Sequence, residues 1–292
     1  DPMGPWEEYT EGNPILTQRV GLDPNRPDIV TSAGHADIVQ GPKGDWWAVF
    51  LACRPYQDDF YNTGRDTYLL PVTWKDGWPT ILESGRVVPT VNKKAGLQYE
   101  AGLCNTGNFS YVDRFDSPTL DMRWMYLRNP DLSAYNVGSN GLSIKASDAN
   151  IHQVKPITAV FRRQQHNTFT AETEVMFTPA NDKELAGFAL LQNEQYNFTF
   201  GKTKVGGRTA IVLTRAEKNN VVIGSKFLCE KCADKPVKLR IHGDGRYYDF
   251  SYSLDGTTWN IIAQGVDAVN LSTHQSGGFI GACIGLYATK NK

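Results

Sequence analysis

The chain contains no hydrophobic run long enough to cross a bilayer. Its longest, Trp46–Cys53, falls far short of the ~20 residues a spanning helix needs, so no membrane partner is expected. It has no charge excess of either sign: 30 Lys and Arg stand against 31 Asp and Glu, a formal net charge of −1. Nucleic acid and anionic lipid call for a basic surplus or patch, so neither is expected as a partner. Cysteine is sparse and odd in number, at 5, which excludes a disulfide-dense scaffold for a chain of 292 residues. Sustained helical periodicity is nearly absent, and so is any internal repeat. The opening DPMGPWEEY is polar, neither an initiator Met nor a charged–apolar leader, which suggests a mature or internally cleaved terminus.

What is present is mostly period-2 alternation. Val237, Leu239 and Ile241 alternate with Lys238 and Arg240, and Tyr248, Phe250 and Tyr252 alternate with Asp249 and Ser251. Turn pairs such as Asp244-Gly245 and Asp255-Gly256 punctuate these runs. The composition changes character near residues 93–110. Upstream lies a Pro-, Gly- and Trp-rich segment with strands expected at Ala36–Gln40, Trp46–Cys53 and Asp66–Thr73. Downstream, about a dozen strands at close spacing point to a sandwich. The expected division is therefore 1–95, a linker at 96–109, and 110–292.

Cys229 and Cys232 form a CxxC. Zinc would need two further ligands and a redox motif would need a βαβ context, neither of which is visible, so a small structural disulfide is preferred. Cys53 and Cys283 sit in apolar runs and read as buried thiols. Asn108, Asn197 and Asn270 head N-x-Ser/Thr triplets. Together with a disulfide they suggest a secreted, extracellular glycoprotein of a eukaryote. Aromatic residues make up 11% of the chain, which suits sugar sites and β-rich cores alike.

Taken by themselves, His35 beside Gly34 and Arg65 beside Gly64 read as a turn histidine and a solvated hairpin arginine. Their flanks say more. GPWEEY, GNPILT, TSAGHADIVQ, GDWWAVFLACRP and NTGRDTYLLPVTWKDGWP occur in that order, followed by RWMYLRNP, FRRQQHNTFTAETEVMF, GFALLQNEQYNFTFG and GGFIGACIGLYA. The ordered set resembles glycoside hydrolase family 43, in its β-xylosidase and arabinofuranosidase branch. The resemblance implies an all-β fold: the C-terminal part of a five-bladed β-propeller followed by a concanavalin-like β-sandwich. It also implies part of an exo-glycosidase that removes terminal α-L-arabinofuranose or β-xylose from arabinoxylan or xylo-oligosaccharides with inversion. The family's catalytic Asp, Asp and Glu are expected on an upstream propeller segment or chain of the same protein. Asp37, Asp45, Glu7 and Glu8 do not stand at the motif positions.

By the same resemblance, His35 matches the GHA-motif histidine, tied directly or through water to a calcium ion on the propeller axis. Arg65 matches the arginine that reaches the terminal sugar. Asp66 stands where many relatives have Glu, a change that leaves the arginine in place and leaves the fine shape of the subsite open. About one and a half blades would leave open edges and an unburied face. The sandwich is accordingly expected to buttress the propeller, since the linker lacks a long Pro/Ser/Thr tract. A non-catalytic carbohydrate-binding or structural module is the alternative. The Ser253–Trp259 segment reads as a hairpin turn with a packed Trp. Arg162–His166 reads as strand, and Gly277-Gly278-Phe279 could present an aromatic toward the propeller.

Overall fold

The computed structural model describes residues 2–93, 107–139 and 141–292. Most of the expected linker, with Cys104, lies outside the described residues. The chain forms two compact units: residues 1–55 with 65–109, and residues 56–64 with 110–292. The stretch 56–64, expected in the first part, belongs to the second. The chain leaves the first unit after Pro55 and re-enters it at Arg65.

The first unit is built on one antiparallel sheet, β1 (Thr31–Gln40), β2 (Trp46–Cys53), β3 (Arg65–Lys75) and β4 (Trp78–Thr80), in that spatial order. This is the blade of a propeller. Strand β1 begins five residues before the expected Ala36, because two register shifts interrupt it and hide the alternation. Ser32 and His35 both take positive φ there, at 55°. Ala48, Phe50, Leu70 and Val72 bury one face of the sheet against Ile81 and Val88. Trp46 and Trp47 point to opposite faces, as pleating requires. Trp46 meets Trp74 edge-on with ring centroids 5.4 Å apart, while the Trp47 indole donates to Asp45 Oδ2 at 2.6 Å. Buried Gln18 ties the N-terminal segment down, donating to the Arg86 carbonyl at 2.8 Å and accepting from Val88 N at 3.1 Å.

The second unit carries β5 (Tyr135–Gly138), β6 (Gly141–Ile144), β7 (Thr158–Arg163), β8 (Thr168–Val175), β9 (Leu185–Leu191) and β10 (Tyr196–Val205). It continues with β11 (Arg208–Glu217), β12 (Asn219–Phe227), β13 (Val237–Asp244), β14 (Tyr247–Ser253), β15 (Asn260–Asp267) and β16 (Cys283–Thr289). A six-stranded sheet, β12-β11-β10-β9-β16-β7, faces a four-stranded one, β15-β14-β13-β8, and β5 pairs with β6. Between the two sheets lies a core in which Phe198, Phe200, Leu239, Ile241 and Phe250 are 0% exposed. The alternating positions thus meet face to face, the packing of a sandwich. Strand β7 ends at Arg163, short of the expected His166. Gln164 turns inward instead, 4% exposed.

Gln164 belongs to a buried polar chain. Tyr248 Oη donates to Gln164 Oε1 at 2.9 Å, Asn62 Nδ2 donates to Tyr248 Oη at 3.1 Å, and Tyr56 Oη donates to Asn62 Oδ1 at 3.3 Å. Burial pushes the Tyr248 hydroxyl up to about 12, so it remains a donor at any physiological pH. Asn62 is 0% exposed. Asn62→Ala would strand partners inside the fold and is expected to cost about 1–3 kcal/mol. A urea midpoint that does not move on this substitution would contradict the role given to Asn62.

His152 supplies a pH dependence. Its Nε2 lies 3.0 Å from the Asn220 amide nitrogen and its Nδ1 lies 3.2 Å from the Glu194 carbonyl. The amide nitrogen can only donate and the carbonyl can only accept, so Nε2 accepts and Nδ1 carries the hydrogen. Burial holds the imidazole below its ordinary value. In the unfolded chain His152 protonates near ~6.5, before the folded form does. Its contribution is therefore complete above that pH and is lost as pH falls through it. The urea midpoint should drop between pH 7 and pH 5, and His152→Gln should flatten that slope. An equal slope in the variant would assign the pH dependence to other groups.

Candidate functional site

The sequence-expected site residues of the first unit lie on the strands flanking β2. Cys53 pairs with Thr31 on one side and with Arg65 on the other, so Arg65 heads β3 at the end of the sheet where β1 begins. His35 falls in the bulged stretch of β1 between the Gly34–Leu51 and Asp37–Val49 pairs. The sheet therefore brings His35 and Arg65 toward one end, two strands apart, and both are exposed. Gly64, at φ 75°, gives the chain its turn into β3. A side chain there would collide with the Gly281 backbone.

Pleating sends Asp66 to the face opposite Arg65. There Asp66 holds Arg54 in a fork, with Nε at 2.6 Å and Nη2 at 3.1 Å from its two oxygens. The hydrogen bonds it donates to Asp66 hold the Arg54 guanidinium above its ordinary value, against the opposing effect of burial. This pair pins the first turn of β3, and with it the backbone that carries Arg65. Tyr68, stacked on Phe50 with centroids 5.5 Å apart, is pushed up to about 12 by burial and stays neutral beneath it.

Calcium takes about 6–8 oxygen donors. Among the described residues no three His, Cys, Asp or Glu side chains gather in a metal-holding group, and His35 brings only imidazole nitrogens. The described residues by themselves do not supply a calcium site. Asp45, excluded as a catalytic group on sequence grounds, serves its own turn: its carbonyl accepts from Gly41 N at 2.6 Å.

In the second unit Cys229 and Cys232 are joined by a disulfide, closing a short 3-10 turn at Glu230–Cys232. Cys53 is 1% exposed, while Cys283 is only partly buried, its thiol raised chiefly by desolvation. Two of the expected glycosylation positions need correction. Asn197 and Asn270 are 1% and 0% exposed. Asn197 Nδ2 donates to the Asn193 and Glu194 carbonyls, at 3.2 and 3.0 Å, and Asn270 Nδ2 donates to the Ala216 carbonyl at 2.9 Å. A glycan on either nitrogen would break those bonds and has no room in the folded unit. Asn108 is exposed.

Phe279 stands 71% exposed on a loop anchored by the Ile280 carbonyl, which accepts from Gln192 Nε2 at 2.9 Å. The Tyr56–Asn62–Tyr248–Gln164 chain is not legible in the sequence, because Tyr56 and Tyr248 lie 192 positions apart and its members carry no common motif. Nor is the stacking of Arg123 and Arg162 on Tyr111, at 4.3 and 4.1 Å from the ring centroid.

The chain thus carries a propeller blade and a concanavalin-like sandwich. The description "Beta xylosidase C-terminal Concanavalin A-like domain" matches residues 112–292, and "Glycosyl hydrolases family 43" matches residues 1–79. The chain belongs to glycosyl hydrolase family 43. It is 30% identical to a non-reducing end alpha-L-arabinofuranosidase of Bacteroides ovatus, covering 99% of this chain and 53% of the relative. It is 27% identical to a beta-xylosidase of Bacillus subtilis, covering 97% of this chain and 54% of the relative. Among solved structures, the family 43 BlXynB protein of Bacillus licheniformis superposes with a TM-score of 0.83 at 28% identity, over 99% of this chain and 55% of that one. The chain spans about half the length of the curated relatives it matches.

Proposed function

We propose that this chain is the C-terminal part of an exo-acting glycoside hydrolase that removes terminal pentoses, α-L-arabinofuranose or β-xylose, from arabinoxylan and xylo-oligosaccharides. The observation that carries this reading is the match along nearly the whole chain to an arabinofuranosidase and a beta-xylosidase. A sandwich module acting alone would account for residues 112–292 but not for the family 43 match over 1–79.

The chemistry follows from the class. One carboxylate activates a water on one face of the sugar and a carboxylic acid protonates the leaving oxygen on the other, across about 6.5–9.5 Å, with inversion. Both groups, and the third that tunes them, are assigned to an upstream propeller segment of the same protein. Arg65 contributes a fixed fork of N–H donors to the hydroxyls of the terminal sugar. Its positive charge also favours the ionised form of a nearby carboxylate. The Cys229–Cys232 disulfide supports a secreted, extracellular protein.

The test is hydrolysis of aryl β-xyloside and aryl α-L-arabinofuranoside by the complete enzyme, with the anomer of the released pentose followed by proton NMR. Release of one or both pentoses as the inverted anomer is expected. Absence of pentose release from either substrate would overturn the reading, and retention of configuration would overturn the mechanism.

A further inference from the structure

The outer face of the four-stranded sheet carries a cleft of ≈ 600 Å³. Because Leu239, Ile241 and Phe250 point into the core, alternation turns their neighbours outward. Register sets those neighbours in two rows across the strands. Glu172 lies beside Arg240, then Ser251, then Ile261, and Thr170 lies beside His242, then Asp249. Arg240 Nε donates to Glu172 Oε1 at 2.7 Å, and Thr170 Oγ1 lies 3.0 Å from His242 Nδ1. Asp249 is held by the Gly265 amide, which donates to its Oδ1 at 2.7 Å.

Trp259 joins these rows, its ring centroid 3.6 Å from the Arg240 guanidinium carbon. The turn before it is tightly built. Asp255 Oδ1 accepts from the amides of Thr257 and Thr258 at 2.8 and 2.7 Å, and Ser253 Oγ accepts from Gly256 N at 2.9 Å. That turn fixes where the indole lies, so Trp259 lines the cleft rather than packing into the core.

Three properties select the ligand. The carboxylates of Glu172 and Asp249 are partly offset by Arg240, so neither a polyanion nor a polycation is drawn here. The lining combines the polar side chains of Thr170, Glu172, Arg240, His242 and Asp249 with the apolar Ile261 and the indole of Trp259, one face of which carries the Arg240 guanidinium and leaves the other for a ligand. A neutral molecule rich in hydroxyls, with C–H faces to lay on an indole, satisfies both. The longer row crosses four strands about 4.8 Å apart, which spans a short oligosaccharide rather than one sugar. The volume also lies inside the range of about 300–1,000 Å³ common to ligand sites.

We propose that the β8-β13-β14-β15 face is a saccharide-binding site for a neutral xylan-type oligosaccharide. The saccharide assignment rests on the cleft itself, and the choice of xylan rests on the proposed function. The test is titration of the full chain with xylohexaose and, separately, cellohexaose, read by calorimetry and by the indole N–H signals in NMR. Xylohexaose is expected to bind and to shift the Trp259 signal, and Trp259→Ala and Arg240→Met should each weaken binding by roughly tenfold or more. If Trp259→Ala does not fold, Glu172→Gln and His242→Ala decide by the same criterion. Binding of cellohexaose alone would support a saccharide site and overturn the choice of xylan. No binding of either sugar at about 10 mM, or binding that all of these variants leave unchanged, would overturn the proposal. The hydrolysis assay on aryl pentosides is read independently, so failure of the pentosidase reading is told apart from failure of this one.

Discussion

Replacing Arg65 by alanine in the complete enzyme is expected to lower pentoside hydrolysis by at least ~100-fold, since a charged hydrogen bond in a water-poor pocket is worth about 2–4 kcal/mol. The thermal midpoint should move little, because Arg65 belongs to none of the hydrophobic cores of the described residues. Arg65→Lys separates charge from geometry. It keeps the cation and loses the fork, so it should recover only part of the rate. The neighbouring backbone is tied by the Arg54–Asp66 pair, which the substitution leaves in place. Near-unchanged kinetics in Arg65→Ala would remove the residue from the site. A rate loss that tracks a falling Tm would reassign it to stability.

Phe250→Ala should be the most damaging core substitution of the second unit. Phe250 is 0% exposed and packs against two rings, Phe198 with centroids 5.8 Å apart and Phe200 at 5.3 Å. Each of those rings comes from β10 in the opposite sheet, so the substitution opens a cavity at the seam between the sheets rather than at an edge. Removing a buried phenyl ring costs about 3–5 kcal/mol when the walls relax only in part. For a unit of this size Tm falls by roughly 2–4 °C per kcal/mol. Phe250→Leu, which retains most of the volume, should lose far less. A loss below about 1 kcal/mol for the alanine variant would mean that the seam collapses around the gap, and would count against this packing.

Much of the architecture is legible in the sequence. Val237, Leu239 and Ile241, and likewise Tyr248, Phe250 and Tyr252, alternate in the sequence and face the core in the structure. Pleating leaves no other way to bury them from strands. The span of β2 coincides with its apolar run, since an inner strand flanked on both sides declares itself by composition. Family membership is legible as well, because the ordered motifs extend along nearly the whole chain. Strand β1 runs longer than its alternation predicts, because bulges at Ser32 and His35 break the period of two.

Other features belong to tertiary structure alone. Asn197 and Asn270 carry the glycosylation triplet, yet whether an asparagine reaches solvent depends on which strands and turns fold over it. Nothing local announces that residues 56–64 leave one unit to donate Asn62 to the polar chain of another, because its partners Tyr248 and Gln164 are distant in sequence. The cleft beside Trp259 is of the same kind. Alternation tells which residues of β8, β13 and β14 point outward. Only strand register sets Glu172, Arg240 and Ser251 in one row, and register follows from hydrogen bonding between strands that the one-dimensional pattern does not encode.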